Sequence, residues 1–88
     1  MRTIGVIPAR FESSRFPGKP LADILGRPMI WWVYQQCLKV EELDRVIVAT
    51  DDLRIGEACD GYGMDWLMTS RDCATGSDRV AEAAEKIE

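Results

Sequence analysis

The stretch RVIVATDDLRIGEACDGYGMDWLM, residues 45–68, decides the fold class. Arg45–Ala49 is an unbroken, β-branched apolar run, the pattern of a strand buried on both faces. Thr50 or Asp51 supplies a helix N-cap. Ile55, Ala58, Cys59 and Tyr62 then recur at i, i+3, i+4 and i+7 as the apolar stripe of a helix, which Gly61 and Gly63 end. Asp65–Met68 reads as a brief strand. Strand, helix and strand in so short a span is the repeating unit of a parallel sheet.

The same alternation extends in both directions. Upstream, Thr3–Ala9 (TIGVIPA) reads as a buried strand and Arg10–Pro20 (RFESSRFPGKP), polar and without period, as a loop. Leu21–Ile24 is too short to assign, and Gly26 marks a turn. Pro28 then stands in the first turn of a helix over 28–39, whose stripe is Met29, Ile30, Val33, Tyr34, Cys37 and Leu38. Downstream, 69–76 is a loop and a third helix starts near Ser77, with the stripe Val80, Ala83, Ala84 and Ile87. Thr75 and Asp78 have the spacing of a capping box. The order β-loop-α-β-α-β-α implies an α/β parallel sheet with right-handed crossovers. A fourth strand is what the pattern asks for next, so residues 1–88 read as the N-terminal portion of a longer sheet.

Composition narrows the class. Of the 88 residues 47% are hydrophobic and 30% charged, which excludes a disordered chain. There is no His, and Cys37, Cys59 and Cys73 are far apart, so neither a zinc site nor a disulfide framework is expected. No run reaches the roughly 18 apolar residues of a membrane helix and no signal peptide is present, so the expectation is a soluble cytoplasmic protein without membrane partners. The net charge of -4 argues against nucleic acid. Its distribution is uneven. Arg2, Arg10, Arg15, Lys19 and Arg27 face only Glu12 and Asp23 in residues 1–27, whereas the remainder is acidic. A short basic segment on an acidic body suits a compact anion.

Three of those cations, Arg10, Arg15 and Lys19, lie in the loop after the first strand, at the carboxyl edge where open parallel sheets bind ligands. Arginine binds phosphate bidentately and lysine as a point charge, so the set suits a triphosphate. Pro17 and Pro20 stiffen the loop and Gly18 permits close approach. It is no Walker A sequence: residue 13 is Ser, and Lys19 precedes Pro20. No G-x-G-x-x-G follows the first strand. The phosphate site is therefore cationic rather than cradled by glycines.

Residues 7–21, IPARFESSRFPGKPL, resemble the signature of the sugar-acid cytidylyltransferases, most closely the 3-deoxy-manno-octulosonate cytidylyltransferase (CMP-Kdo synthetase) family. Gly26–Ile30 with Trp32–Tyr34, Val46–Asp51, and Met68–Thr69 through Gly76–Arg79 fit the same pattern in order. The resemblance implies a Rossmann-like parallel sheet of the nucleotide-diphospho-sugar transferase type, here incomplete. It implies transfer of CMP from CTP to the sugar acid Kdo with release of pyrophosphate, in lipopolysaccharide or cell-surface sugar biosynthesis. By the same resemblance Arg10 and Lys19 carry the catalysis at the triphosphate, and Pro8, Ala9, Arg15, Gly76, Ser77 and Arg79 join them in binding the nucleotide.

The family uses magnesium, held by an acidic residue in a Q-G-D-E-P-like segment after the next strand. That segment, the sugar-binding half and the dimerisation region are absent, so residues 1–88 hold no metal ligand and are expected to be inactive alone. The whole enzyme is expected to be a homodimer acting on CTP and a 2-keto-3-deoxy sugar acid. Asp72–Cys73 replaces the family's Asp-His, removing an imidazole, and Thr75 and Ser77 exchange hydroxyl types. An acylneuraminate or other sugar-acid cytidylyltransferase is the alternative within the class. A non-catalytic nucleotide-binding or interaction fragment is the alternative outside it.

Other residues read as structural. Asp51 and Asp52 suit a helix cap and dipole partner better than a nucleotide contact. Trp31 and Trp32 suit the rim of the core. Cys73 reads as a plain substitution, and Glu82, Glu85 and Glu88 as a solvated helix face.

Overall fold

The computed structural model describes residues 3–11, 18–70 and 76–87. Strand β1 (Ile4–Ala9) leads to a 3-10 turn (Lys19–Leu21), a hairpin of β2 (Asp23–Ile24) and β3 (Arg27–Pro28), and helix α1 (Met29–Leu38). Strand β4 (Arg45–Thr50), helix α2 (Leu53–Gly61), strand β5 (Trp66–Met68) and helix α3 (Gly76–Ile87) complete the order. The main sheet is parallel, in the order β1-β4-β5. The α/β parallel architecture read from the sequence is the one observed.

β4 is the central strand because it is the most apolar on both faces. Val46, Ile47, Val48, Ala49 and Thr50 are all buried. Alternation along the strand divides them. Val46 and Val48 join Ile7, Ala9, Ile30, Tyr34, Ile55, Cys59 and Met64 in one core cluster. Ile47 and Ala49 point to the opposite face, where α3 packs across β1 and β4 and buries Ala83. The Tyr34 hydroxyl donates to the Val46 carbonyl at 3.2 Å and accepts from the Asp65 N–H at 3.4 Å, tying α1 to both neighbouring strands.

Several local expectations are revised. The unassigned segment before α1 is a hairpin whose two-residue turn is Leu25-Gly26, both at positive φ. Pro28 is the N-cap of α1 rather than a residue of its first turn. The cap of α2 is Asp52, whose Oδ1 accepts from the Arg54 N–H at 2.8 Å, and not Thr50 or Asp51. The reason is that pairing with β5 carries β4 through Thr50, while Asp51 turns to an arginine of α3. In α3 Ala83 is buried but Ala84 is exposed. Thr75 of the expected capping box lies outside the described residues.

Trp31 packs on the core cluster beneath the Arg27 guanidinium, which stands 4.4 Å from its ring centroid. The Trp32 indole N–H donates to the Ile24 carbonyl at 2.8 Å. Both tryptophans are thus rim residues that hold the hairpin against α1.

Candidate functional site

Register sets the carboxyl edge of the sheet. Ala9, Thr50 and Met68 are paired in one row, so Arg10, Asp51 and Thr69 leave the sheet side by side. The 3-10 turn sits above this edge, started by Gly18 in a left-handed conformation (φ 76) that a side chain rarely adopts. Together these elements enclose a pocket of about 240 Å³ lined by Pro8, Ala9, Arg10, Lys19, Pro20, Met29 and Arg79. A second hollow of about 320 Å³ adjoins it, sharing Lys19 and Met29 and adding Ala22 and Ile24.

Among the described residues, the pocket wall carries three cations and no carboxylate. Their situations differ. Arg10 and Lys19 are exposed, and neither forms an ion pair among the described residues. Arg79 has no exposed surface and forms the floor. Its Nη1 donates to Thr69 Oγ1 at 2.6 Å and to the Ser70 carbonyl at 3.1 Å, and its Nη2 pairs with Asp51 at 3.5 Å. Asp51 thus offsets the Arg79 charge, and among the described residues the positive potential at the mouth belongs to Arg10 and Lys19. Such an arrangement attracts an anion.

Of the residues singled out in the sequence, Pro8, Ala9, Arg10, Lys19 and Arg79 converge on this one pocket. Gly76 and Ser77 open α3, the helix that delivers Arg79. Arg15 and Cys73 lie outside the described residues. Sequence reasoning did not foresee Met29 as the apolar wall shared by both hollows, nor the burial of Arg79 behind the pocket. Arg79 directly precedes the apolar stripe residue Val80, the one available hint that its side chain turns inward.

A parallel Rossmann-like α/β sheet with a cationic pocket at its carboxyl edge defines a nucleotide-binding class of fold. Comparison with known proteins narrows it. A family model described as cytidylyltransferase matches residues 4–88, and the chain belongs to that family. It is 58% identical over 88 residues to the 3-deoxy-manno-octulosonate cytidylyltransferase of Syntrophobacter fumaroxidans, covering 100% of this chain and 35% of that protein. The Zea mays enzyme of the same name is 52% identical over 87 residues, covering 99% of this chain and 29% of that one. A solved structure of CMP:2-keto-3-deoxy-manno-octonic acid synthetase complexed with CTP superposes with a TM-score of 0.96 at 46% identity. The match covers 100% of this chain and 36% of that one. The chain therefore spans about a third of the length of the relatives it matches. Among the described residues, no helix is long and apolar enough to cross a membrane.

Proposed function

We propose that residues 1–88 form the N-terminal nucleotide-binding part of an enzyme that transfers CMP from CTP to Kdo, a 2-keto-3-deoxy sugar acid. The observation that carries the reading is the pocket in which Arg10 and Lys19 stand exposed, with no ion pair among the described residues. The names of the relatives and the CTP in the neighbouring structure support this choice of nucleotide and acceptor. The acceptor hydroxyl attacks the α-phosphorus in line. One phosphorus–oxygen bond forms, the bond to the leaving pyrophosphate breaks, and the hydroxyl proton is released. Negative charge collects on the pyrophosphate, and Arg10 and Lys19 stabilise it there. Pro8, Ala9, Gly76, Ser77 and Arg15 complete the nucleotide contacts in this reading, with Arg79 supporting the floor.

The described residues do not fit a magnesium site. Asp51 is engaged by Arg79 and Asp52 by Arg54, and among the described residues no three His, Cys, Asp or Glu are grouped to hold an ion. In this reading the acidic ligand for magnesium, the acceptor site and a homodimer contact lie outside these 88 residues. A cytoplasmic location and a role in lipopolysaccharide synthesis belong to the same proposal.

Titration of full-length protein with CTP tests the reading. Arg10→Ala and Lys19→Ala should each weaken binding by about 1.5–3 kcal/mol, roughly ten- to a hundredfold. Unchanged affinity in both would overturn it. Pyrophosphate release from CTP and Kdo should be at background for the 88 residues alone.

A further inference from the structure

Outside the pocket, the polar cluster at the start of α2 is not used by the reading above. Asp52 caps the helix, and the Arg54 side chain returns to it through two bonds, Nε to Oδ1 at 2.9 Å and Nη2 to Oδ2 at 2.8 Å. A bidentate pair fixes the plane of a guanidinium as well as its place. That plane lies over the Phe11 ring, with the central guanidinium carbon 3.4 Å from the ring centroid. The Phe11 ring in turn lies against Gly18, where a Cβ would stand 3.1 Å from it. The Gly18 N–H also donates to the Phe11 carbonyl. Phe11 immediately follows Arg10, and Gly18 immediately precedes Lys19. The ring is thus held between a fixed cation and the backbone that launches the 3-10 turn, and α2 packs against that turn as well.

We propose that Arg54, held flat by Asp52, is a positioning residue that presses Phe11 onto Gly18 and so sets the spacing of Arg10 and Lys19 across the pocket. The inference rests on the assignment of the pocket to CTP. Phosphate oxygens sit at fixed separations, so two cations bind them best when their backbone anchors are preset rather than ordered on binding. Arg54 does this from outside the lining of the pocket.

The test measures CTP affinity of full-length protein, alongside thermal stability. Arg54→Ala should raise the Kd about two- to fivefold, the worth of one exposed cation–ring contact. Arg54→Lys, which keeps a cation over the ring, should recover part of that loss. Arg54→Met, which keeps the stem without the charge, should not. Phe11→Leu should match Arg54→Ala, and the double variant should be no weaker than either single one, because both act through one contact. A lowered melting temperature with CTP affinity intact in Arg54→Ala and Arg54→Met would overturn the proposal. Arg10→Ala and Lys19→Ala separate the two ideas. If they weaken binding while the Arg54 variants do not, the clamp fails and the pocket assignment stands. If none of them weakens binding, both fail.

Discussion

The Asp51 carboxylate and the Arg79 guanidinium meet 3.5 Å apart behind the pocket, one from the end of the central strand and the other from α3. Arg79 has no exposed surface, and among the described residues its Nε and Nη2 have no hydrogen-bond partner. A buried charge with an incomplete set of bonds depends on its counter-charge. Thr69 Oγ1 and the Ser70 carbonyl hold the other side of the guanidinium, so Arg79 fastens α3 to the carboxyl edge, alongside Glu82, which accepts from the Ser70 N–H, and Lys86, which donates to the Met68 carbonyl.

Arg79→Ala should therefore cost about 3–5 kcal/mol, the range for removing one partner of a buried pair. That is comparable to the whole stability of a small domain. Arg79→Met with Asp51→Asn, which removes both charges, should cost less than Arg79→Ala. Urea unfolding followed by tryptophan fluorescence measures both. Equal losses would show that packing rather than charge makes Arg79 necessary.

Helix α2 approaches β5 at Gly56, where a Cβ would lie 2.4 Å from the Trp66 ring. The Trp66 indole N–H also donates to Asp60 at 2.8 Å, which holds the ring in place. Gly56→Ala should destabilise the fold by about 1–3 kcal/mol through overpacking, despite the better helix propensity of alanine. Trp66→Leu in the same chain should relieve part of the loss. Additive effects of the two changes would contradict a direct clash.

What could be read in advance follows from the range of the physics involved. The strand–helix–strand order was legible because residues 45–68 set an unbroken β-branched run directly before a helical stripe within one short stretch. Arg10 and Lys19 were legible as a pair because the loop after the first strand of a parallel sheet must emerge at the binding edge. The β2–β3 hairpin was not, since two-residue strands show no period and Leu25-Gly26 is not the usual Asn-Gly turn. The cap of α2 was missed by one or two positions because Thr50, Asp51 and Asp52 are all capable of capping. Pairing within the sheet takes up Thr50 and the ion pair to Arg79 takes up Asp51, which leaves Asp52. The burial of Arg79 depends on Asp51 and Thr69 arriving from two different strands, which no local pattern encodes.

Cys59 has no exposed surface, and burial, aided by the neighbouring Asp60 charge, raises its thiol from an ordinary 9.0 to about 11. An acid with a raised pKa stays protonated in the fold while the unfolded chain ionises. The folded state then binds more protons, so stability falls as pH rises from 9 to 11 and is unaffected below 9. The contribution lost is about 2–3 kcal/mol. The stability difference between the wild type and Cys59→Ala should shrink by that amount between pH 8.5 and 11. A constant difference would remove Cys59 as the cause.

The Leu25-Gly26 turn holds an unused gain in stability. Leu25 has φ 51 and Gly26 φ 89, the positive pair that a two-residue turn between Ile24 and Arg27 requires. Left-handed backbone costs a leucine about 1–2 kcal/mol, because its Cβ crowds the following carbonyl. Burial does not offset this cost, for Leu25 is 87% exposed. Asparagine tolerates the same conformation and is the preferred residue at that position of such a turn. Leu25→Asn should accordingly stabilise the protein by about 0.5–1.5 kcal/mol, since little apolar contact is lost and the strain is reduced. Gly26→Ala should do the reverse, placing a Cβ where φ is positive. Urea unfolding should show a higher midpoint for Leu25→Asn at an unchanged slope, the signature of a change in stability alone. A lower midpoint would mean that the Leu25 side chain is covered in the folded protein and contributes more by contact than its backbone loses to strain.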